Sequence, residues 1–299
     1  MQVAYLILAH HQPNQLARLI RVLDAPQCAF FIHLDAKVDE TIFKQTVGAS
    51  SKITFITDRR KVNWGAFSMV EATLALLSEA LSSSSSFHRF CLLSGSDFPI
   101  KPNTRILADF DSPTEFMRIA RKLNSGQSIS HDRNVRFYWY LDSEDHTWWN
   151  CSGKLPRKPY SRVGLYHGSQ WWALTRECVE YILQFISSNQ DYYSFFKNAY
   201  CSDEIFFHSI VKHSPFAVRI SHDFETAPDQ AALSVSNDHG SHYVDWNASS
   251  KTLPKVLDEQ DWDKLVRSKA LFARKFDEGR SGALIAMLEN ELASRAPVP

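Results

Sequence analysis

The chain has 299 residues, 33 Lys and Arg against 33 Asp and Glu, 44% hydrophobic and 13% aromatic residues, and five cysteines. A chain of this length buries about three quarters of the surface its unfolded form exposes, so disorder is excluded and stability needs no staples. Zero formal net charge excludes the broad basic field of a generic nucleic-acid binder, so any positive site is local.

Cys28, Cys91, Cys151, Cys178 and Cys201 are odd in number and lack CxxC spacing, which fits neither a disulfide framework nor a thiolate zinc site. A reducing compartment is the expectation. Eight tryptophans and twenty phenylalanines exceed what a core of this size needs, and sugar clefts use such rings as apolar platforms.

Val3 to Ala9 reads as a buried strand, too short to span a bilayer and without the flanks of a signal peptide. Leu16, Leu19, Ile20 and Leu23 then recur at helical spacing within Asn14 to Leu23, and Cys28 to Leu34 is a second buried strand. Ile53 to Ile56 is a short third strand, Ser68 to Leu81 an amphipathic helix stopped by Ser82 to Ser86, and Phe90 to Leu93 a fourth strand. Alternation of this kind predicts a doubly wound, nucleotide-binding sheet. From about 111 to 160 the sequence is polar and aromatic, with Phe137 to Tyr140 and Trp148-Trp149 as clusters, and reads as loops over a site. Gln170 to Leu174 is strand-like, Glu177 to Ile186 helical, Glu204 to Val211 a short helix, Ala217 to Ile220 a strand, and Ser281 to Ala293 a helix with Leu284, Met287, Leu288 and Leu292 on one face. No linker or repeat divides the chain, and no run approaches the length of a membrane span.

Ligands of an open α/β sheet bind beyond the carboxyl ends of its strands. Those positions hold His10-His11, Asp35 with Lys37, Asn63-Trp64-Gly65 and Ser94-Gly95-Ser96-Asp97. Asp35 either caps a turn or hydrogen-bonds ribose, and Trp64 is either core or a platform for a base or sugar. A departing diphosphate needs neutralising, by a metal or by fixed cations. The two Asp-x-Asp matches are Asp109-Phe110-Asp111, at a helix end, and Asp261-Trp262-Asp263, inside a helical pattern; both read as solvated surface. The useful position after the fourth strand supplies Asp97 alone, so no metal is expected. Cations are available at Lys251, Lys255, Arg267, Lys269, Arg274 and Lys275, with Arg274-Lys275 set between Phe272 and Phe276. Cys201-Ser202-Asp203-Glu204 opens a helix, where Glu204 either complements the dipole or, kept ionised by it, serves as a general base. No GxSxG elbow is present.

Eight segments, in order, carry a family likeness: AYLILAHHQP (4–13), FFIHLDAK (30–37), VNWGAFSMVEATLALL (62–77), FCLLSGSDFPIKP (90–102), GSQWWALTRECVEYIL (168–183), SDEIFFHSIV (202–211), HYVDWN (242–247) and LFARKFD (271–277). Together they resemble glycosyltransferase family 14, the core-2/I-branching β-1,6-N-acetylglucosaminyltransferases and peptide O-xylosyltransferases, in a bacterial-type member. The resemblance implies a GT-A fold with a Rossmann-like, mostly parallel central sheet flanked by helices. Residues 1–110 would form the nucleotide-sugar half of a single catalytic domain and 111–299 the acceptor and catalytic half. It also implies inverting, metal-independent transfer of N-acetylglucosamine or xylose from a UDP-sugar to a hydroxyl of a glycan or glycolipid acceptor.

By the same resemblance Glu204 is the catalytic base, and Lys275 meets the diphosphate together with Lys255, Arg274 beside it, and Lys251 as the alternative to Lys255. His10, Asp35, Lys37, Trp64 and Gly65 match uridine-binding positions. Ser96, Asp97, Gln170, Trp171 and Trp246 match donor-sugar or acceptor positions, although Gln170 departs from the acid of the xylosyltransferases. Residues 120–160 match poorly and are where acceptor choice is expected to lie. Animal relatives carry an anchor and disulfides; this chain begins at the first strand, so the expectation is a cytoplasmic enzyme, associated peripherally with the inner membrane face, serving polysaccharide or lipopolysaccharide synthesis. Two alternatives are a hydrolase using Asp203 with Glu204 and a non-catalytic glycan-binding protein.

Overall fold

The computed structural model describes residues 1–124, 129–142, 155–227, 229, 237–246 and 252–294. The first strand, β1, is Val3–Ala9, followed by α1 (Pro13–Leu23), β2 (Cys28–Leu34), α2 (Glu40–Val47), β3 (Ile53–Phe55), α3 (Ser68–Ser82) and β4 (Arg89–Ser94). Both faces of β1 are covered, which is why its sequence is continuously apolar instead of alternating. Tyr5 and Ile7 pack with Leu16, Leu19 and Leu23 of α1 and Phe43 of α2. Ala4, Leu6 and Leu8 face Val70, Leu76 and Leu77 of α3.

The chain continues through β5 (Phe98–Pro99), α4 (Asn103–Phe110), β6 (Glu115–Lys122), α5 (Ile129–Arg136), β7 (Tyr166–Gly168), β8 (Ala173–Thr175), α6 (Arg176–Ser188) and α7 (Gln190–Phe196). It ends with α8 (Phe206–Lys212), β9 (Ile220–Asp223), β10 (Asp238–His239), β11 (His242–Val244), α9 (Trp262–Arg267), β12 (Phe272–Arg274) and α10 (Gly282–Ser294). The main sheet runs β3-β2-β1-β4-β8-β6-β7, with β9 beside β6. From β3 to β4 it is parallel, while β8 pairs antiparallel with both β4 and β6. This is the expected mixed α/β architecture with a mostly parallel sheet between helices. A small sheet, β10-β11-β12-β5, closes one side of the site over a third apolar cluster formed by Phe98, Phe276 and the Leu284, Ile285 and Leu288 face of α10.

One buried cation ties the parallel part to the antiparallel part. Arg89, 1% exposed, donates to the carbonyls of Phe110, Ser112, Thr114 and Ala173, so its charge is met by backbone dipoles.

Local differences from the sequence reading have physical causes. The α2 helix buries only Phe43 and leaves no apolar stripe to read. Gln170 and Trp171 precede β8 and line a cavity, and Ala217–Arg219 is a 3-10 turn before β9. Glu204 ends a separate 3-10 turn, Ser202–Glu204, and α8 begins at Phe206. Trp148, Trp149, Cys151 and Lys251 lie outside the described residues. Among the described residues no helix is long and apolar enough to cross a membrane.

Candidate active site

A cavity of about 1070 Å³ opens beside the small sheet, lined by Glu204, Asp203, Arg274, Gln170, Trp171, Trp246, His131 and His167 among others. Glu204 reaches it because the turn that carries it is anchored at both ends. Cys201, in the left-handed region at φ 46°, donates its amide to the Gly65 carbonyl at 2.7 Å. Beyond the turn α8 is buried along its length. The Tyr192 hydroxyl donates to the Phe206 carbonyl at 2.7 Å, the Tyr166 amide to Ser209 Oγ at 2.9 Å, and His208 Nε2 to the Ser169 carbonyl at 2.7 Å. Those bonds lock α8 against β7 and the loop after it, the segment that carries His167 and Gln170.

Glu204 has 31% of its side chain exposed and lines the cavity, and its Oε2 lies 3.0 Å from His167 Nε2. Burial pushes its pKa up, partly opposed by His131 and Arg274. Burial, and then the neighbouring charge of Glu204, pushes Asp203 up as well. A helix dipole keeping Glu204 ionised was the expectation; desolvation within a three-residue turn wins instead.

Arg274 is held in place rather than free to swing. Its guanidinium stacks 4.1 Å from the Trp171 ring and its Nε is 3.6 Å from Asp97 Oδ1. Asp97 is fully buried, accepting from the Ser94 amide and hydroxyl at 2.7 and 2.8 Å, with His242 Nε2 3.3 Å away. Its burial alone would raise the pKa, but Arg274, His242 and the Ser94 amide outweigh it and the value falls below the usual range. Ser96, 3% exposed, gives its carbonyl to the Phe276 amide. Asp97 thus stands behind Arg274, 3.6 Å from its Nε, and the Ser96 carbonyl fastens the chain two residues after Arg274.

Of the positions expected to meet a nucleotide, His10 follows β1, and Asp35 and Lys37 follow β2. His10 and His11 stack with centroids 4.2 Å apart. Burial, with His11, Lys275 and Lys37 nearby, holds the pKa of His10 below its ordinary value, against the pull of Asp35. Lys275 arrives there because Gln12 binds Asp277 and Glu278 Oε1 accepts from the Gln15 amide at 2.8 Å, pinning the chain after Lys275 to the start of α1. Asp35 is buried and accepts from the Lys37 amide at 2.9 Å. Trp64 is 74% exposed, its ring edge-on to Tyr200, so the core alternative is overturned. Gly65 has φ 74°, and a Cβ there would sit 2.7 Å from the Tyr200 ring.

Lys255 is engaged by Asp261, and Asp261 is 1% exposed. The solvated-surface reading of Asp261 is thus corrected: its carboxylate binds Lys255 and Lys264. Asp109 pairs with Arg105 at the end of α4. Among the described residues no three His, Cys, Asp or Glu side chains converge as metal ligands. Sequence reasoning missed His131, His167, Arg118 and Arg121, which line the cavity; His167 stands one residue before the matching GSQWW segment.

The family model described as Core-2/I-Branching enzyme matches residues 3–266. The chain is 25% identical to a beta-1,3-galactosyl-O-glycosyl-glycoprotein beta-1,6-N-acetylglucosaminyltransferase of Bos taurus, over 98% of this chain and 70% of that protein. It is also 25% identical to the xylosyltransferase oxt of Drosophila melanogaster, over 98% of this chain but only 33% of that protein. Among solved structures, mouse xyloside xylosyltransferase 1 aligns over 74% of this chain and 84% of its own at 13% identity and a TM-score of 0.32, a likeness too weak to argue from.

Proposed function

The chain belongs to the core-2/I-branching enzyme family, and from that premise we propose that it is an inverting glycosyltransferase moving N-acetylglucosamine or xylose from a UDP-sugar to a glycan hydroxyl. The observation that carries this reading is Glu204 in one cavity with Arg274, each within the other's field. Glu204 takes the acceptor proton as that oxygen bonds to the anomeric carbon. The bond from that carbon to the phosphate oxygen breaks, and UDP leaves with the electron pair. Glu204 acting as a base on the acceptor hydroxyl, with no covalent step through a carboxylate, is a single displacement and hence inverts the anomeric centre. Asp203 adjoins Glu204 in sequence and so cannot oppose it across a substrate, which disfavours hydrolysis by paired acids.

Arg274 and Lys275 supply fixed positive charge for the leaving diphosphate, which supports a reaction without metal. Trp246, 48% exposed on the cavity rim, suits stacking on the acceptor sugar. The buried thiols Cys28, Cys91 and Cys178 are unbridged, which supports the cytoplasmic placement. UDP release from UDP-N-acetylglucosamine and UDP-xylose, with a β-1,3-galactosyl-O-glycosyl peptide as acceptor and with or without EDTA, tests the reading. Acceptor-dependent, EDTA-resistant release is expected; loss of release with EDTA would overturn the metal-free route, and glycan binding without UDP binding would overturn the enzyme reading.

A further inference from the structure

We propose that His167 is a positioning residue that reserves Oε2 of Glu204 and so leaves Oε1 for the acceptor hydroxyl, a proposal that rests on Glu204 being the base. The imidazole is 11% exposed, and its Nε2 lies 3.0 Å from Oε2 across 37 residues of sequence. Burial, with the charges of Arg121 and Arg118, pushes its pKa down to about 3, so the ring is uncharged at neutral pH. A neutral ring can meet an ionised carboxylate only as the Nε2–H tautomer, because two lone pairs would repel. The other nitrogen, Nδ1, has no hydrogen-bond partner among the described residues, which suits a bare acceptor better than an orphaned N–H.

The ring is gripped from several sides. His131 packs edge-on at 4.5 Å and 67°, and lies 3.3 Å from Arg121 Nη1. Gly168 lets β7 press onto β6 so closely that a Cβ would fall 1.8 Å from the Arg118 carbonyl oxygen. On the far side Ser209 and His208 fasten α8 to the same segment. His167 and Glu204 are therefore placed by two elements bonded to each other, and the carboxylate plane follows. The other groups acting on Glu204 are Asp203, Cys201 and Tyr200 of its own segment, His131 of α5 and Arg274 of β12, while Arg118 and Arg121 of β6 act on His167.

A donor to the carboxylate favours its ionised form, against the effect of burial. Losing it has two results: the carboxylate turns away from the acceptor, and protonation comes at higher pH. The test compares His167→Phe, His167→Gln and Glu204→Gln in the full chain, using UDP release from UDP-N-acetylglucosamine with the galactosyl peptide, UDP binding by calorimetry, and histidine ¹⁵N spectra. His167→Phe is expected to lower kcat by about 10- to 100-fold with donor KM and UDP affinity within about twofold, and to move the acid limb of the pH profile upward. His167→Gln, whose amide can replace the donor, should recover most of the rate and the original limb. The spectra should show an uncharged Nε2–H ring at pH 7, a readout independent of turnover. An inactive Glu204→Gln beside a His167→Phe of normal kcat and unmoved limb overturns the proposal and leaves the base intact, as does a charged or Nδ1–H ring. An active Glu204→Gln overturns the base reading itself.

Discussion

Asp261 clasps Lys255 through both carboxylate oxygens, with Nζ 2.7 Å from Oδ1 and 2.6 Å from Oδ2. The lysine expected to meet a diphosphate thus already has a buried acid as its partner, one that it shares with Lys264. Lys275 has no such partner among the described residues and stands close enough to His10 to affect its proton. Lys275→Ala should weaken UDP binding about tenfold. Lys255→Ala should weaken it less but lower Tm, since it strips one of two cations from Asp261. Calorimetry and thermal melts on both variants decide the matter; the reverse order would mean that Asp261 hands Lys255 to the nucleotide.

Burial raises the pKa of Glu204, and a base works only when ionised. The rate should therefore climb with pH through a region above the ordinary carboxylate range, instead of being at its plateau by about pH 5 as for a free Glu. Glu204→Gln should cut kcat by about 10²- to 10⁴-fold with UDP affinity nearly unchanged. A plateau extending down to pH 5 in the kcat profile would contradict the assignment.

Asp203 lies within the protein with its Oδ1 unpaired among the described residues, and its folded pKa is raised by burial and by Glu204. The folded state then holds the proton more tightly than the unfolded chain. Stability is highest below the unfolded carboxylate value and falls as pH rises toward the raised folded value. Asp203→Asn removes that ionisation, so Tm should rise at pH 8 by a few degrees, about 2–4 °C per kcal/mol recovered, and change little at pH 4. Equal shifts at both pH values would rule out this origin.

Gly65 combines φ 74° with the Tyr200 ring in the space of a side chain. Gly65→Ala should cost about 1 kcal/mol or more of stability and displace Tyr200, against which Trp64 rests. UDP affinity should fall with Tm. Unchanged binding would separate the Trp64 face from the nucleotide.

The parallel half was legible in the sequence because β1, β2 and β4 are apolar runs buried almost throughout, and β1 and β2 were read to their observed bounds. The small sheet was not, since β10, β11 and β12 are two or three residues each and their pairings join distant segments. In the site, Glu204, Arg274, Lys275 and Trp64 stood in readable motifs. His167 carried no local signal, as its meaning lies in a carboxylate brought to it by the folding of α8 against β7. Asp97 was legible as a residue, but its pairing with Arg274 was not, because burial beside that guanidinium is a tertiary fact.

Arg274 is held between the Trp171 ring, 4.1 Å away, and the buried carboxylate of Asp97. The positive pole of the cavity is consequently oriented once, during folding, and does not have to be turned toward each arriving nucleotide. Preorganisation of this kind removes the reorganisation that water or a mobile lysine would contribute to every turnover.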